Sequence, residues 1–288
     1  MEEVEAAPPP RRVGLLPHPH QPASRALAEE IAAQLHAWGM ETFVGYLDDE
    51  SAHAQLRDQE LLVVLGGDGA LLRAANFAGP LGLPVLGVNL GSLGFLSEVQ
   101  PGEWRAVLTR VAAGEYWLED RMMLHAEVQR GPAVLAAYEL LNEVVVGRGE
   151  FPRPVRLRAS IDGAPLTRVL ADGLIVATPT GSTAYALAVG GPILAPELRN
   201  MLVIPIAPHL SFDRALVLAE DSVVTIGVHS DTPARFTGDG QYQVTLAQGD
   251  CVVVRASPHA CRFVRVRDRG YFFRTLMRRM GLESLDHE

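Results

Sequence analysis

The 288-residue chain contains no lysine, so every strongly basic side chain in it is arginine. That absence excludes a P-loop lysine, a kinase-type strand lysine and any Schiff-base mechanism. Phosphate handling by this chain must rest on glycine-rich backbone, arginine and metal. Cysteine is scarce too: Cys251 and Cys261 alone fit a reducing compartment and no disulfide framework. No apolar run approaches the ~20 residues of a membrane-spanning helix, and there is no basic or apolar stretch built to face a membrane. The acidic, proline-rich start, Met1 to Pro10, reads as neither a signal nor a transit peptide, so a cytoplasmic protein is expected. A positive net charge is also missing, and −9 argues against a nucleic-acid partner held by phosphate neutralisation.

What is present is organised around Leu61-Leu62-Val63-Val64-Leu65-Gly66-Gly67-Asp68-Gly69-Ala70. The apolar run reads as a buried strand, and a helix follows from about Ala70. Gly66, Gly67 and Gly69 allow a sharp turn, tolerate positive φ and let a ligand approach the main chain. Free N–H groups at the helix start suit a phosphate. Asp68 stands at the tip, where its carboxylate can take a proton, hold a magnesium ion, or simply cap the helix. Around this loop residues 13–116 read as alternating β and α. Strands are expected at Val13–Leu16, Thr42–Leu47, Leu61–Leu65 and Pro84–Val88, with helices capped by Ser24 and centred on Trp104 to Val111. The fourth strand runs into a second glycine-rich loop, Asn89 to Leu96. Two such loops after neighbouring parallel strands lie together at the carboxyl edge of the sheet, where open α/β folds bind ligands.

Beyond residue 115 the period changes to alternation. Val155, Leu157, Ala159 and Ile161 alternate with polar residues before an Asp-Gly turn, and strand-like stretches recur at 118–129, 135–147, 215–228, 243–246 and 251–256. Many short strands between turns predict a sandwich-like β-rich second domain. One stretch breaks the rhythm: a strand from Asp172 enters the Thr/Ser/Gly loop Thr178-Pro179-Thr180-Gly181-Ser182-Thr183, and a helix is expected to follow. Its hydroxyls and N–H groups suit phosphates or sugar hydroxyls. Asn142-Glu143 interrupts an apolar strand, where unpaired polar groups are costly to bury. Asn donates and accepts while Glu accepts, so the pair suits a ribose or an adenine, provided the strand ends or bulges there. A closing helix is expected over Tyr271 to Met280.

Gly66-Gly67-Asp68-Gly69, Asn142-Glu143, Asp172-Gly173 and Thr178 to Tyr185, in that order and spacing, resemble the successive signatures of the ATP-dependent NAD kinases. Gly191-Pro192-Ile193 and Asp239-Gly240-Gln241 are similar to later segments of that family. The first motif is shared with lipid and sugar kinases, whereas the threonine-rich one is far more specific. The resemblance implies an α/β N-terminal domain and a β-rich, sandwich-like C-terminal domain with the active site between them. The expected organisation is a tail at 1–12, domains at 13–116 and 117–268, and a C-terminal helix at 269–288 that returns to the first domain.

The resemblance also implies transfer of the γ-phosphoryl group of ATP, or of polyphosphate, to the 2′-hydroxyl of the adenosine ribose of NAD, giving NADP with Mg2+ as cofactor. It makes Asp68 the general base, with Gly69 beside it. It assigns Asn142 and Glu143 to adenosine, and Asp172 with Thr183, Ala184, Tyr185, Ala186, Leu187 and Ala188 to the nicotinamide and ribose. Phe95 is placed to pack on a base, Arg73 and Arg153 to contact phosphates, and Ala207 and Gln241 complete the set. No metal ligand is assigned. A homodimer or homotetramer with shared pockets is implied. The competing readings are a lipid or sugar kinase, and a non-catalytic NAD sensor, against which the intact Asp68 counts.

Overall fold

The computed structural model describes residues 8–91, 94–149, 153–209 and 213–280. Parts of the expected tail and of the C-terminal segment, residues 1–7 and 281–288, lie outside these. The chain forms two compact units, residues 1–120 with 261–288, and residues 121–260.

The first unit starts with β1 (Arg12–Pro17), α1 (Pro22–Ala37), β2 (Glu41–Val44) and the short α2 (His53–Arg57). It continues with β3 (Leu61–Leu65), α3 (Asp68–Ala78), β4 (Val85–Val88) and α4 (Trp104–Ala112). The strands are parallel in the order β2-β1-β3-β4. β3 is buried along its whole length, as a strand covered on both faces must be. Val13, Leu15, Val63 and Leu86 pack on Ile31 and Leu35 of α1 and on Leu108 of α4. Because β3 and β4 are neighbours, residues 66–67 and 89–91, which leave their carboxyl ends, lie side by side. Ser24 does not cap α1; Gln21 takes that position. Ser24 is buried in the first turn, where its hydroxyl donates to Leu65 O (3.0 Å) and accepts from His18 N (2.7 Å). The second strand is also shorter than expected, ending at Val44.

The second unit is built from β5 (Trp117–Arg130), β6 (Ala133–Leu140), β7 (Glu143–Arg148), β8 (Val155–Ile161), β9 (Ala164–Ala171) and β10 (Gly173–Ala177). The single-turn helix α5 (Tyr185–Ala188) follows, then β11 (Asn200–Ile206), β12 (Leu216–Ala219), β13 (Val224–Val228), β14 (Ala234–Gly238), β15 (Tyr242–Leu246) and β16 (Asp250–Arg265). One sheet runs β12-β11-β10-β7-β14-β15, antiparallel throughout. The other contains β16-β13-β8-β9 with the β5–β6 hairpin. Their inner faces meet in one core, with Val144, Val146, Leu174, Val203 and Phe236 from the first and Leu124, Leu157, Ile226 and Val252 from the second. This is the expected sandwich. The stretches read as continuous at 135–147 and 215–228 are each two strands, broken at Leu141–Asn142 and at 220–223. The last residues of β16 belong to the first unit, where Phe263 pairs with Val85 of β4, and α6 (Tyr271–Arg279) closes that unit.

Candidate active site

In the first unit everything converges on Asp68. It is the first residue of α3 and not its cap, because Gly67 holds the N-cap position in extended conformation (φ −86°, ψ −173°). The carboxylate turns away from its own helix to the neighbouring loop. Oδ2 accepts from Phe95 N at 2.6 Å and Oδ1 from Leu96 N at 3.3 Å. Each oxygen keeps a lone pair for other chemistry. The loop comes so close that a Cβ on Gly94 would stand 2.1 Å from Oδ1, so only glycine fits there. Gly67 and Gly69 are different: neither adopts positive φ, and a Cβ on either would meet open space. The turn itself therefore does not demand them, and their bare backbone leaves room for a ligand to approach. Gly66 is constrained by Ala70, 2.8 Å from its would-be Cβ.

Arg73, one turn along α3, lines a small recess with His18, Tyr46 and Asp48. Phe95 is half-buried, with the Arg279 guanidinium 5.9 Å from its ring centre.

In the second unit Asn142 and Glu143 sit where β6 has ended and β7 begins, so the strand alternation that would aim them apart does not apply. Three segments hold this junction. The Asp239 carboxylate accepts from Leu141 N (2.8 Å), Asn142 N (2.9 Å) and Glu143 N (2.8 Å). Thr178 donates its hydroxyl to Leu141 O (2.6 Å) and its N–H to Asn142 O (2.9 Å). Gly181 packs so tightly that a Cβ would stand 2.2 Å from Asn142 O. With the backbone satisfied, Asn142 Oδ1 and Glu143 Oε2 remain buried without a partner. Burial, reinforced by the nearby Asp239 charge, pushes the Glu143 carboxyl up to about 8. At neutral pH it is a protonated acid that both donates and accepts, not the pure acceptor expected from its residue type.

The threonine-rich loop is compact. Its helix is one turn, Tyr185–Ala188, and offers no extended row of free N–H groups. Two of its hydroxyls donate within the loop, Ser182 Oγ to Pro179 O (2.6 Å) and Thr183 Oγ1 to Thr180 O (3.1 Å), and keep acceptor capacity. The loop holds the junction at Asn142 through Thr178 and Gly181. Within it Thr183 and Ala184 are half-buried, Ala186 is buried, and Tyr185 stays 42% exposed beside Leu187 and Ala188. Gln241 lies on the β14–β15 turn with Asp239.

Asp172 is not brought to this cluster. It precedes β10 while Thr178 follows it, roughly 20 Å apart at ~3.3 Å per strand residue. Asp172 pairs instead with Arg148 (3.4 Å), and its N–H bonds Ile206 O (2.9 Å) beside Ala207. Ala207 adopts φ 44°, a strained conformation for a residue with a Cβ and one that gathers at functional positions. Arg153 is exposed. Among the described residues no group of three or more His, Cys, Asp or Glu side chains forms a metal cage.

Residues 13–116 match the ATP-NAD kinase N-terminal domain and residues 141–266 the ATP-NAD kinase C-terminal domain. A curated NAD kinase of Chloroflexus aurantiacus is 41% identical over 270 residues, covering 93% of this chain and 98% of that one. The chain belongs to the NAD kinase family. A second member, from Heliobacterium modesticaldum, is 46% identical over 227 residues, 78% of this chain and 80% of its own. Among solved structures, yeast NADH kinase complexed with NADH superposes with TM-score 0.86 at 28% identity, covering 96% of this chain and 89% of that one. An NAD kinase from Archaeoglobus fulgidus in complex with ATP shares the fold, with TM-score 0.75 at 24% identity over 95% of this chain and all of its own. The match of the second half separates the chain from lipid and sugar kinases, which the first motif alone does not.

For this NAD kinase family chain, sequence reading passed over Asp239 as a support. The signal available was an Asp-Gly pair at a strand end, and both residues have positive φ (49° and 67°), as a tight hairpin turn requires. Asp239→Ala strands three N–H groups, each a bond to a charged acceptor worth about 1.5–3 kcal/mol. The expected result is a fall in melting temperature of about 10 °C or more, read by thermal denaturation, together with weakened NAD binding.

Proposed function

We propose that the chain is an NAD kinase that transfers the γ-phosphoryl group of ATP to the 2′-hydroxyl of the adenosine ribose of NAD, giving NADP. The observation that carries the reading at the level of residues is the pair of buried, unpartnered oxygens, Asn142 Oδ1 and Glu143 Oε2. Their backbone is already fully held, so what they lack is a ligand with donors and acceptors, as an adenosine has. Asp68 is the general base. Its carboxylate is steered by two backbone N–H groups and keeps lone pairs to take the hydroxyl proton as the ribose oxygen attacks the γ-phosphorus. The open backbone at Gly67 and Gly69 receives phosphate groups, with Arg73 nearby. Phosphoryl transfer needs in-line placement and charge neutralisation more than covalent help.

Magnesium supplies that neutralisation when bound. An ion that keeps several waters and binds mainly nucleotide phosphates needs only one or two protein carboxylates, which the single carboxylate of Asp68 can meet without a cage. Asp172 and Ala207, at the far end of β10 from Asn142, support a homodimer or homotetramer in which they complete the pocket of a neighbouring copy.

The test is NADP formation by the purified protein with Mg2+, NAD and either ATP or polyphosphate, on a preparation sized by light scattering. NADP is expected with ATP, from an oligomer. No product with either donor, despite NAD binding, overturns the kinase reading.

A further inference from the structure

We propose that Arg279, on the C-terminal helix, is a positioning residue for the Asp68 carboxylate, acting through a single peptide group of the 94–97 loop. The inference deepens the general-base reading of Asp68 and rests on it. Arg279 Nη1 donates to Phe95 O (3.3 Å) and Nη2 to Ser97 O (3.4 Å). The carbonyl of Phe95 and the N–H of Leu96 belong to the same peptide unit, and that N–H donates to Asp68 Oδ1. A cation on the oxygen end and a carboxylate on the hydrogen end polarise this peptide in the same sense, so each bond strengthens the other.

The loop is held from three sides. Buried Arg265 donates to the next carbonyl, Leu96 O (2.8 Å), and to Glu119 (2.7 Å). The next carboxylate along the loop, Glu98, accepts from Val266 N (2.8 Å), tying the loop to the strand that leads into α6. On the opposite side the Asp68 carboxylate fills the space that a Cβ at position 94 would take.

Arg279 is held in place rather than solvated. Its guanidinium lies 5.4 Å from the Tyr271 ring centre and 5.9 Å from that of Phe95, and its Nε is buried without a partner. Burial holds the Arg279 guanidinium below its usual range and the Arg265 charge adds to this, while the Tyr271 hydroxyl and the Asp68 carboxylate oppose it. An arginine placed so, at the cost of an unbonded Nε, is not the solvated basic helix end that its sequence position suggests.

The test is a double-mutant cycle. Arg279→Ala, Arg279→Lys and Gly94→Ala are made in the wild type and in Asp68→Asn, and kcat, KM for NAD and melting temperature are measured. Arg279→Ala is expected to lower kcat by about tenfold to a hundredfold, as for a misplaced catalytic group, with KM and melting temperature little changed. Arg279→Lys restores part of the loss, and Gly94→Ala, which crowds the carboxylate from the other side, reproduces it. In Asp68→Asn, whose residual turnover no longer depends on a carboxylate, the same changes are expected to have no further effect. An Arg279→Ala loss of equal size in both backgrounds, or one seen only in KM or melting temperature, overturns the proposal. Near-wild-type turnover of Asp68→Asn alone overturns the general-base reading instead, so the two failures are distinguishable.

Discussion

Asp68→Asn is expected to reduce NADP formation by about 10²–10⁴-fold, the usual contribution of a positioned general base. NAD affinity should stay within a few-fold of wild type. The amide oxygen can still accept from one loop N–H, while the amide nitrogen faces the other, donor against donor. One bond is lost at a half-exposed position, which costs about 1 kcal/mol and lowers the melting temperature by only a few degrees. Turnover assays beside circular dichroism and calorimetric NAD binding check the split. Parallel loss of NAD binding and turnover would mean that Asp68 works in binding and not in proton transfer.

Glu143→Gln is expected to stabilise the fold. The Glu143 carboxyl is raised from 4.5 to about 8 by burial first and by the Asp239 charge second. Between these values the folded protein holds a proton that the unfolded chain has released. The stability associated with neutral Glu143 is therefore full below about 4.5 and lost as pH rises toward 8. At pH 7 the 2.5-unit gap from the unfolded value corresponds to about 3 kcal/mol. Glutamine, which does not titrate, escapes that loss. Its melting temperature should exceed wild type at pH 7 and converge with it near pH 4.5. Wild-type KM for NAD should rise as pH passes about 8 and Glu143 loses its donor, whereas the glutamine variant stays level. A constant offset in melting temperature at every pH would remove the titration from the explanation.

The Asn142-Glu143 pair illustrates why sequence carried part of this site and not the rest. Two polar residues inside an apolar stretch announce themselves, because burying them unpaired is unfavourable. Whether they point the same way depends on where β6 stops, and the sequence reading ran one strand from 135 to 147. The break at Leu141–Asn142 is imposed by Asp239 and Thr178, about 97 and 37 positions away. No local pattern encodes it. In the threonine-rich loop the motif was legible, but that Ser182 and Thr183 donate within the loop was not. The glycines divide in the same manner. Gly94 and Gly181 are demanded by close packing, and Gly67 and Gly69 are left bare.

By itself the sequence determined that β3 is a buried strand running into a glycine-bracketed carboxylate and that an α/β half precedes a β-rich half, both from periodicity and turn chemistry. Its short motifs, in order and spacing, carried the resemblance to the NAD kinases. Only the tertiary structure decided that Asp68 is held by the backbone of residues 95 and 96, that Glu143 is a neutral acid, that Asp172 and Ala207 sit apart from Asn142, and that Arg279 is anchored on the loop beside Asp68. Each of these depends on burial or on hydrogen bonds between residues far apart in the chain. Desolvation and long-range geometry are properties of the packed chain, and no window of sequence contains them.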